Sequence, residues 1–451
     1  MSASPNRSLA EVSRHAWRLA VAGVIAAVAL VLATAASAAD PVLTPPEVRT
    51  APTQFIVVAV ANPVTGRPAA VGGTAHGYGT TSNYRVSASA SAVIRELTRS
   101  YSLTLVSEWP IEQLQMHCVL FRIPPGTTRE AMIERLRADK RVLIVQPLNE
   151  FESATSTATP DTATSVLRSG GYDDPYAKLQ SNVSALDVAE AHRVSRGAGI
   201  RVAIIDTGVD TQHPDLAGRT MLTRNYIDSD ATAFRGDRHG TQIAGLIAAA
   251  ANNGIGVVGV APDVRLMAFK ACWQPSAAAA GRCNSFTLAQ ALADALAAKA
   301  QVINLSLVGP GDPLLEALIA KATGSGVIVV GAVSEDPRLG FPAKLPRVLP
   351  VGESETSGAD ADFLRAPARD IVTLVPNGHY DFASGSSLAT AQISGVVALL
   401  LAKDQKLGID RMRSLLAQST ERHDTTRGPF LSVNACAALA LVVRGATCAQ
   451  K

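Results

Sequence analysis

Short apolar runs separated by helically spaced stretches recur along the chain, in two arrangements. Within residues 51–150 the runs Gln54–Val60 (QFIVVAV), Leu103–Val106 (LTLV), Cys118–Ile123 (CVLFRI) and Val142–Val145 (VLIV) read as strands. Two helical stretches lie between them: Ser89–Ser100, and Thr128–Ala138, which opens on a threonine cap with Glu130 in its first turn. The order strand, helix, strand, strand, helix, strand predicts a small ferredoxin-like α+β domain. The next segment, from Phe151 to about Gly171, is rich in Ser, Thr, Ala and Gly and has no period, so residues 151–172 read as a linker.

From Asp173 to the C-terminus the pattern changes. Val202–Ile205, Val264–Ala268, Val302–Leu305 and Val327–Val330 are continuous apolar strands, separated by the helical stretches Gln242–Ala251 and Thr287–Ala300 and by a further helix before Val327. Continuous apolar strands alternating with helices predict an α/β fold, a parallel sheet with helices on both faces. In such sheets the working groups sit on loops at the carboxyl ends of the strands.

Composition bears this out. The chain has 451 residues, enough for two to three folded units, and is 47% hydrophobic and 18% charged, which permits a large core. Lys plus Arg is 41 and Asp plus Glu 38, a net charge of +3 that argues against a nucleic-acid partner. Aromatic residues are 4% of the chain, in keeping with a core of Ala, Val and Leu. One long apolar run exists, Leu19–Ala33, which rules out a multi-span membrane protein. It follows Arg7, Arg14 and Arg18, precedes Ala36-Ser37-Ala38-Ala39, and is shorter than the roughly 20 residues of a bilayer span. Residues 1–39 therefore read as a secretory signal peptide cut near Ala38 or Ala39, the other reading being an uncleaved anchor. Export would place the chain in the periplasm or outside the cell. Of the cysteines, Cys272 and Cys283 bracket one loop and Cys436 and Cys448 another, and Cys118 is left over. Proximity in sequence favours two local disulfides, each stabilising by about 3 kcal/mol in an oxidising compartment. A zinc site would require a CxxC or His pair at ligand spacing, which the chain lacks.

Three motifs carry candidate chemistry. Asp206 leaves a buried strand into a glycine turn (AIIDTGVD, followed by His213-Pro214-Asp215), His239 opens a helix (RHGTQIAG), and Ser387 opens another (ASGSSLAT). A serine at a helix start gains a backbone N–H and a positive dipole end, both favourable to a developing oxyanion. In this order and context the motifs resemble the subtilisin-like serine proteases, the subtilase family, over roughly residues 173–445. The esterase elbow G-x-S-x-G is absent, because Ala389 follows Gly385-x-Ser387.

The resemblance implies Ser387 as nucleophile, His239 as general base and then acid, and Asp206 as the group orienting the imidazole. It implies that Ser306, Leu307, Val308 and Gly309 form an edge strand pairing with substrate backbone, with Val308 in place of the usual Gly narrowing a pocket. Asp215 and Asn253, with the carbonyls of Ala251, Ile255 and Val257, match a structural calcium site, the bland alternative being an Asn-Gly turn and a capping Asp. No cofactor is implied for the chemistry. Residues 51–150 resemble the family's inhibitory propeptide, so the expected partners are polypeptide substrates and this N-terminal domain, as inhibitor and folding aid of a monomer. Its alternative is a binding domain that stays attached.

The chain also departs from the family. Gln242 and Gln392 replace two histidines, and Ala391 a proline. Glu335 stands where an Asn side chain completes the oxyanion hole, leaving the Ser387 N–H and the Ser386 hydroxyl as candidate donors. Two readings follow: an active endopeptidase slowed by Glu335, or a catalytically silent subtilisin fold that binds peptides.

Overall fold

The computed structural model describes residues 40–63, 86–155, 171–276, 279–354, 362–425 and 428–448. The expected signal peptide and residues 156–170 of the expected linker lie outside the described residues.

The N-terminal unit forms as expected. Strands β1 (Phe55–Ala61), β2 (Thr104–Ile111), β3 (Met116–Arg122) and β4 (Val142–Pro147), with helices Ala88–Ser100 and Arg129–Arg137, build an antiparallel sheet in the order β2-β3-β1-β4. Ser87 and Thr128 cap the two helices through their side-chain oxygens. An antiparallel sheet usually shows one wet face, yet β1 is apolar at almost every position. The reason is that both of its faces are covered. Ile56, Val58 and Val60 pack under the domain's own helices against Ile94, Leu97 and Met132. Phe55, Val57 and Ala59 face the other way, with Trp109, Ile111 and Leu120, onto residues of the larger unit such as Phe286 and Leu315. Trp109 meets Phe286 edge to face at 4.8 Å.

The larger unit is built on a seven-stranded, wholly parallel sheet. Its central strands are β6 (Arg201–Asp206), β8 (Arg265–Lys270), β11 (Val302–Leu305), β13 (Ile328–Ala332) and β14 (Val348–Glu353), flanked by β7 (Thr220–Asn225) and β15 (Leu364–Ala366). Helices Arg238–Ala248 and Ser386–Leu401 cover one face, and Ser285–Ala297 and Pro313–Gly324 cover the other. The helix Ser386–Leu401 is buried almost throughout, which explains the absence of charged residues in its sequence and the apolar run that ends it. Both disulfides pair as expected, Cys272 with Cys283 and Cys436 with Cys448, and Cys118 is buried and free.

One segment differs from its sequence reading. Residues Glu150–Ser153, at the junction with the expected linker, form a strand, β5. It lies between β12 (Leu307–Val308) and β10 (Arg282–Asn284) and is antiparallel to both, with β9 (Cys272–Trp273) beyond β10. Phe151 and Ser153 are buried while Glu150 is exposed, so the strand's alternation was overshadowed by the Ser/Thr-rich run behind it.

Candidate active site

Asp206, His239 and Ser387 come from three separate elements. Asp206 is the last residue of β6, and its Oδ1 accepts from the Thr207 N–H at 2.6 Å and from His239 Nδ1 at 2.7 Å. His239 is the second residue of the helix Arg238–Ala248. That helix sits tight on the aspartate turn, since a Cβ at Gly240 would fall 2.5 Å from the Gly208 carbonyl oxygen. With Nδ1–H donated to Asp206, the free lone pair of His239 is on Nε2. Ser387 is the second residue of the helix Ser386–Leu401, entered through Gly385 at φ +138°, a conformation side-chain-bearing residues rarely adopt. His239 Nε2 and Ser387 Oγ are both buried and neither has a hydrogen-bond partner among the described residues. Buried polar atoms normally find partners, and the exceptions mark groups held for another purpose.

The strand β5 ends at these groups. Ser153 N–H donates to Gly281 O at 2.8 Å, Ala154 N–H to Ser306 O at 3.1 Å, and the Ser387 N–H to Ala154 O at 3.0 Å. The carbonyl of Ala154 thus lies at the N-terminus of the nucleophile helix. Phe151 is 3% exposed, with its ring 5.2 Å from that of Phe341 and packed over Gly309, where a Cβ would stand 2.1 Å from Phe151 Cδ1. Val308, opposite Glu152 in the register, is also buried. Sequence reading missed Phe151 and Ala154, and the Glu-Phe-Glu-Ser alternation was the available signal.

A buried chain fixes the backbone of the serine. Ser394 Oγ donates to Asn304 Oδ1 at 2.9 Å, Asn304 Nδ2 to Ser306 Oγ at 2.9 Å, and Ser306 Oγ to the Ser387 carbonyl at 3.0 Å. Ser386 is not a free oxyanion donor, as the sequence had suggested, because its hydroxyl donates to Val333 O at 3.0 Å. Glu335 is exposed on the loop after β13. Gln392 donates to Pro367 O at 2.7 Å and to Leu388 O at 3.1 Å, and the Gln242 carbonyl accepts from Thr373.

Asp215 is fully buried, and its oxygens face Asn253 Nδ2 at 2.9 Å and the Val257 N–H at 3.0 Å. Burial raises its carboxyl above the ordinary range, while Asn253, Val257 and the Tyr380 hydroxyl oppose that rise. The carbonyls of Ala251, Ile255 and Val257 accept no hydrogen bond among the described residues. Free carbonyls beside a carboxylate and an amide are a hard-oxygen donor set of the kind calcium takes. The fit requires the Asn253 amide to be turned over, an exchange of N and O that gives up the 3.2 Å bond its Oδ1 accepts from the Ile255 N–H.

Residues 197–435 match the Peptidase_S8 family, described as the subtilase family. The chain belongs to the subtilase family. Subtilisin E of Bacillus subtilis is 34% identical over 223 residues, a match spanning 46% of this chain and 56% of that protein. Thermitase of Thermoactinomyces vulgaris is 30% identical over 240 residues, spanning 51% of this chain and 84% of thermitase. The structure of fervidolysin from Fervidobacterium pennivorans, described as a keratinolytic enzyme related to subtilisin, superposes with a TM-score of 0.65 at 21% identity. It covers 86% of this chain and 60% of fervidolysin. This subtilase thus spans little more than half the length of subtilisin E.

Proposed function

We propose that the chain is an exported serine endopeptidase whose first substrate is its own Ala154–Thr155 bond. The observation that carries this reading is the Ala154 carbonyl on the Ser387 N–H, delivered by a strand paired on both sides. Ser387 Oγ attacks the Ala154 carbonyl carbon, and His239 Nε2 takes the hydroxyl proton. Asp206 holds the imidazole and stabilises its charged form. The oxyanion of the tetrahedral intermediate forms against the Ser387 N–H, on the positive end of its helix. His239 then returns the proton to the Thr155 amine, which leaves, and water hydrolyses the acyl-enzyme by the same relay. Other polypeptides follow in place of residues 150–155 and add a strand between β10 and β12.

The N-terminal domain acts as inhibitor and folding partner of a monomeric enzyme. Its grip is extensive: Gln146 and Asn149 donate to the buried Asp312 at 2.6 and 2.9 Å, and Gln146 Oε1 accepts from the Leu314 N–H at the start of a helix. Val42 exchanges two hydrogen bonds with Gln290, and Thr44 binds Tyr226 O. Export is supported by the N-terminal pattern and by two disulfides in an oxidising space. Calcium held by Asp215, Asn253 and the free carbonyls stabilises the fold and takes no part in the chemistry. One observation favours the silent, peptide-binding alternative: Glu335 leaves the Ser387 N–H as the identified oxyanion donor.

Expression of wild type and Ser387→Ala separates the two readings. An active enzyme yields a fragment whose N-terminus is Thr155, and a fluorophosphonate labels it at Ser387. Ser387→Ala accumulates the uncut, unlabelled precursor. An unlabelled wild type that stays full-length would leave the silent fold.

A further inference from the structure

A buried lysine stands beside the catalytic aspartate. Lys270 ends β8 in register with Asp206 at the end of β6, and the Ala271 N–H donates to Asp206 O at 2.9 Å. The Lys270 side chain is 3% exposed, with Nζ 2.5 Å from Asp237 Oδ2 and 3.2 Å from Ala233 O. Asp237 directly precedes the helix that carries His239, and the same Oδ2 accepts from the Gly208 N–H, on the Asp206 turn, at 2.7 Å. Two further stitches join these parts. Gly240 N–H donates to Thr207 Oγ1 at 2.8 Å, and Thr241 Oγ1 bonds Asp237 O at 2.7 Å while accepting from the Asp210 N–H at 2.9 Å.

We propose that the Asp237–Lys270 pair is a positioning clamp, which holds the Asp206 turn and the His239 helix in register for proton transfer and sets the charge balance around the imidazole. This rests on the roles of Asp206 and His239 proposed above. A buried ion pair is weak evidence of stabilisation, because the cost of desolvating both charges offsets most of their attraction. Here one carboxylate oxygen joins three elements: the end of β8, the Asp206 turn and the start of the histidine helix. That is a demand on geometry which an apolar pair of the same volume would not meet. The charges also reach the site. Burial raises the Asp237 carboxyl above its ordinary range, Lys270 opposes the rise, and the Asp206 charge adds to it. Around the pair stand Asp206 and His239, the surface pair Arg238–Asp381 at 2.6 Å, and Asp230 and Arg235 on the helix segment packed over Lys270. Asp210 lies on the same turn, with its carboxylate taken by the N–H groups of Gln212 and Asn377.

The test compares Lys270→Met, Asp237→Asn, the double variant and the conservative Lys270→Arg, all in the full-length chain. Lys270→Met leaves a carboxylate facing the site and favours the imidazolium, so the acid limb of kcat/KM moves to higher pH. Asp237→Asn leaves a cation and moves the limb to lower pH, each by roughly half to one pH unit for a nearby partly buried charge. In the double variant the limb returns toward wild type. In the single variants kcat falls at least about tenfold while KM stays within about twofold, since the clamp touches no substrate. Independently of activity, 15N-histidine spectra of the Ser387→Ala precursor, with His239 assigned through His239→Gln, follow the imidazole titration directly. Unmoved His239 titrations in both single variants overturn the clamp. Opposite shifts in an enzyme that neither labels nor processes uphold the clamp and reject the protease reading alone. If Lys270→Met does not fold, Asp237→Asn and Lys270→Arg decide: a downward shift in the first with no shift in the second is the expected result, and equal behaviour of the two overturns the proposal.

Discussion

Phe151→Ala tests how the N-terminal domain is held after self-cleavage. Once the Ala154–Thr155 bond is cut, the tail remains as a bound product, anchored by the backbone bonds to Gly281, Ser306 and Ser387 and by the Phe151 side chain. The substitution leaves the backbone bonds in place and removes a ring that is 3% exposed. Burying a Phe side chain contributes about 1.5–3 kcal/mol, and any cavity left behind adds to the loss. A loss of about 2 kcal/mol corresponds to about a 30-fold weaker complex at 1.4 kcal/mol per tenfold. The assay is dilution of the processed complex into a fluorogenic peptide; a one-to-one complex is half dissociated at a total concentration of twice Kd, so the concentration of half-maximal specific activity moves in proportion to Kd. Gly309→Ala supplies the second arm of a cycle, because its Cβ would stand 2.1 Å from the Phe151 ring. It should weaken the wild-type complex and cost nothing further in Phe151→Ala. A Phe151→Ala midpoint within threefold of wild type, or additive effects of the two substitutions, would refute the assignment of this pocket.

Three further outcomes are expected. Glu335→Asn adds an amide near the oxyanion and raises kcat by up to about 10²-fold, read as initial rates on a peptide between pH 5 and 9; no gain at any pH means that the loop after β13 does not reach the oxyanion. His117 is buried, with no partner for Nδ1 among the described residues, and burial holds its pKa below the ordinary value against the opposing Glu108. A depressed histidine leaves stability intact above the unfolded pKa of about 6.5 and lost as pH falls below it, so the N-terminal domain should unfold more readily at pH 5 than at pH 8, and His117→Gln should flatten the difference measured by thermal unfolding. Calcium at about a hundredfold over its Kd contributes about 2.7 kcal/mol and should raise Tm by several degrees over a chelated sample; an equal shift in Asp215→Asn would remove this site.

The parallel sheet was legible because uninterrupted apolar strands such as Val302–Leu305 demand cover on both faces. Asp206, His239 and Ser387 were legible because each sits at the junction of an apolar element with a glycine-bearing turn. What could not be read was anything fixed by distant partners. Phe151 acquires its meaning from Gly309 and Phe341, far along the chain, and a run of Ser and Thr follows it. Ser386 reads as a free hydroxyl until Val333 is placed beside it. Lys270 looks like the polar end of a strand, and only the position of Asp237 makes it an interior charge.

The path of residues 150–154 also has a kinetic consequence. If the proposed self-cleavage holds, the first cut depends on no encounter between molecules, because the tail reaches Ser387 within its own chain, and its half-time should be the same in a dilute compartment as in a crowded one. The steps after it are different in kind. Escape of the cut domain is a dissociation that dilution favours, and its destruction by a freed enzyme is a collision that crowding favours. A population of these molecules would therefore mature in unison but become active in a wave, with a lag that shortens as more of the protein accumulates at one place.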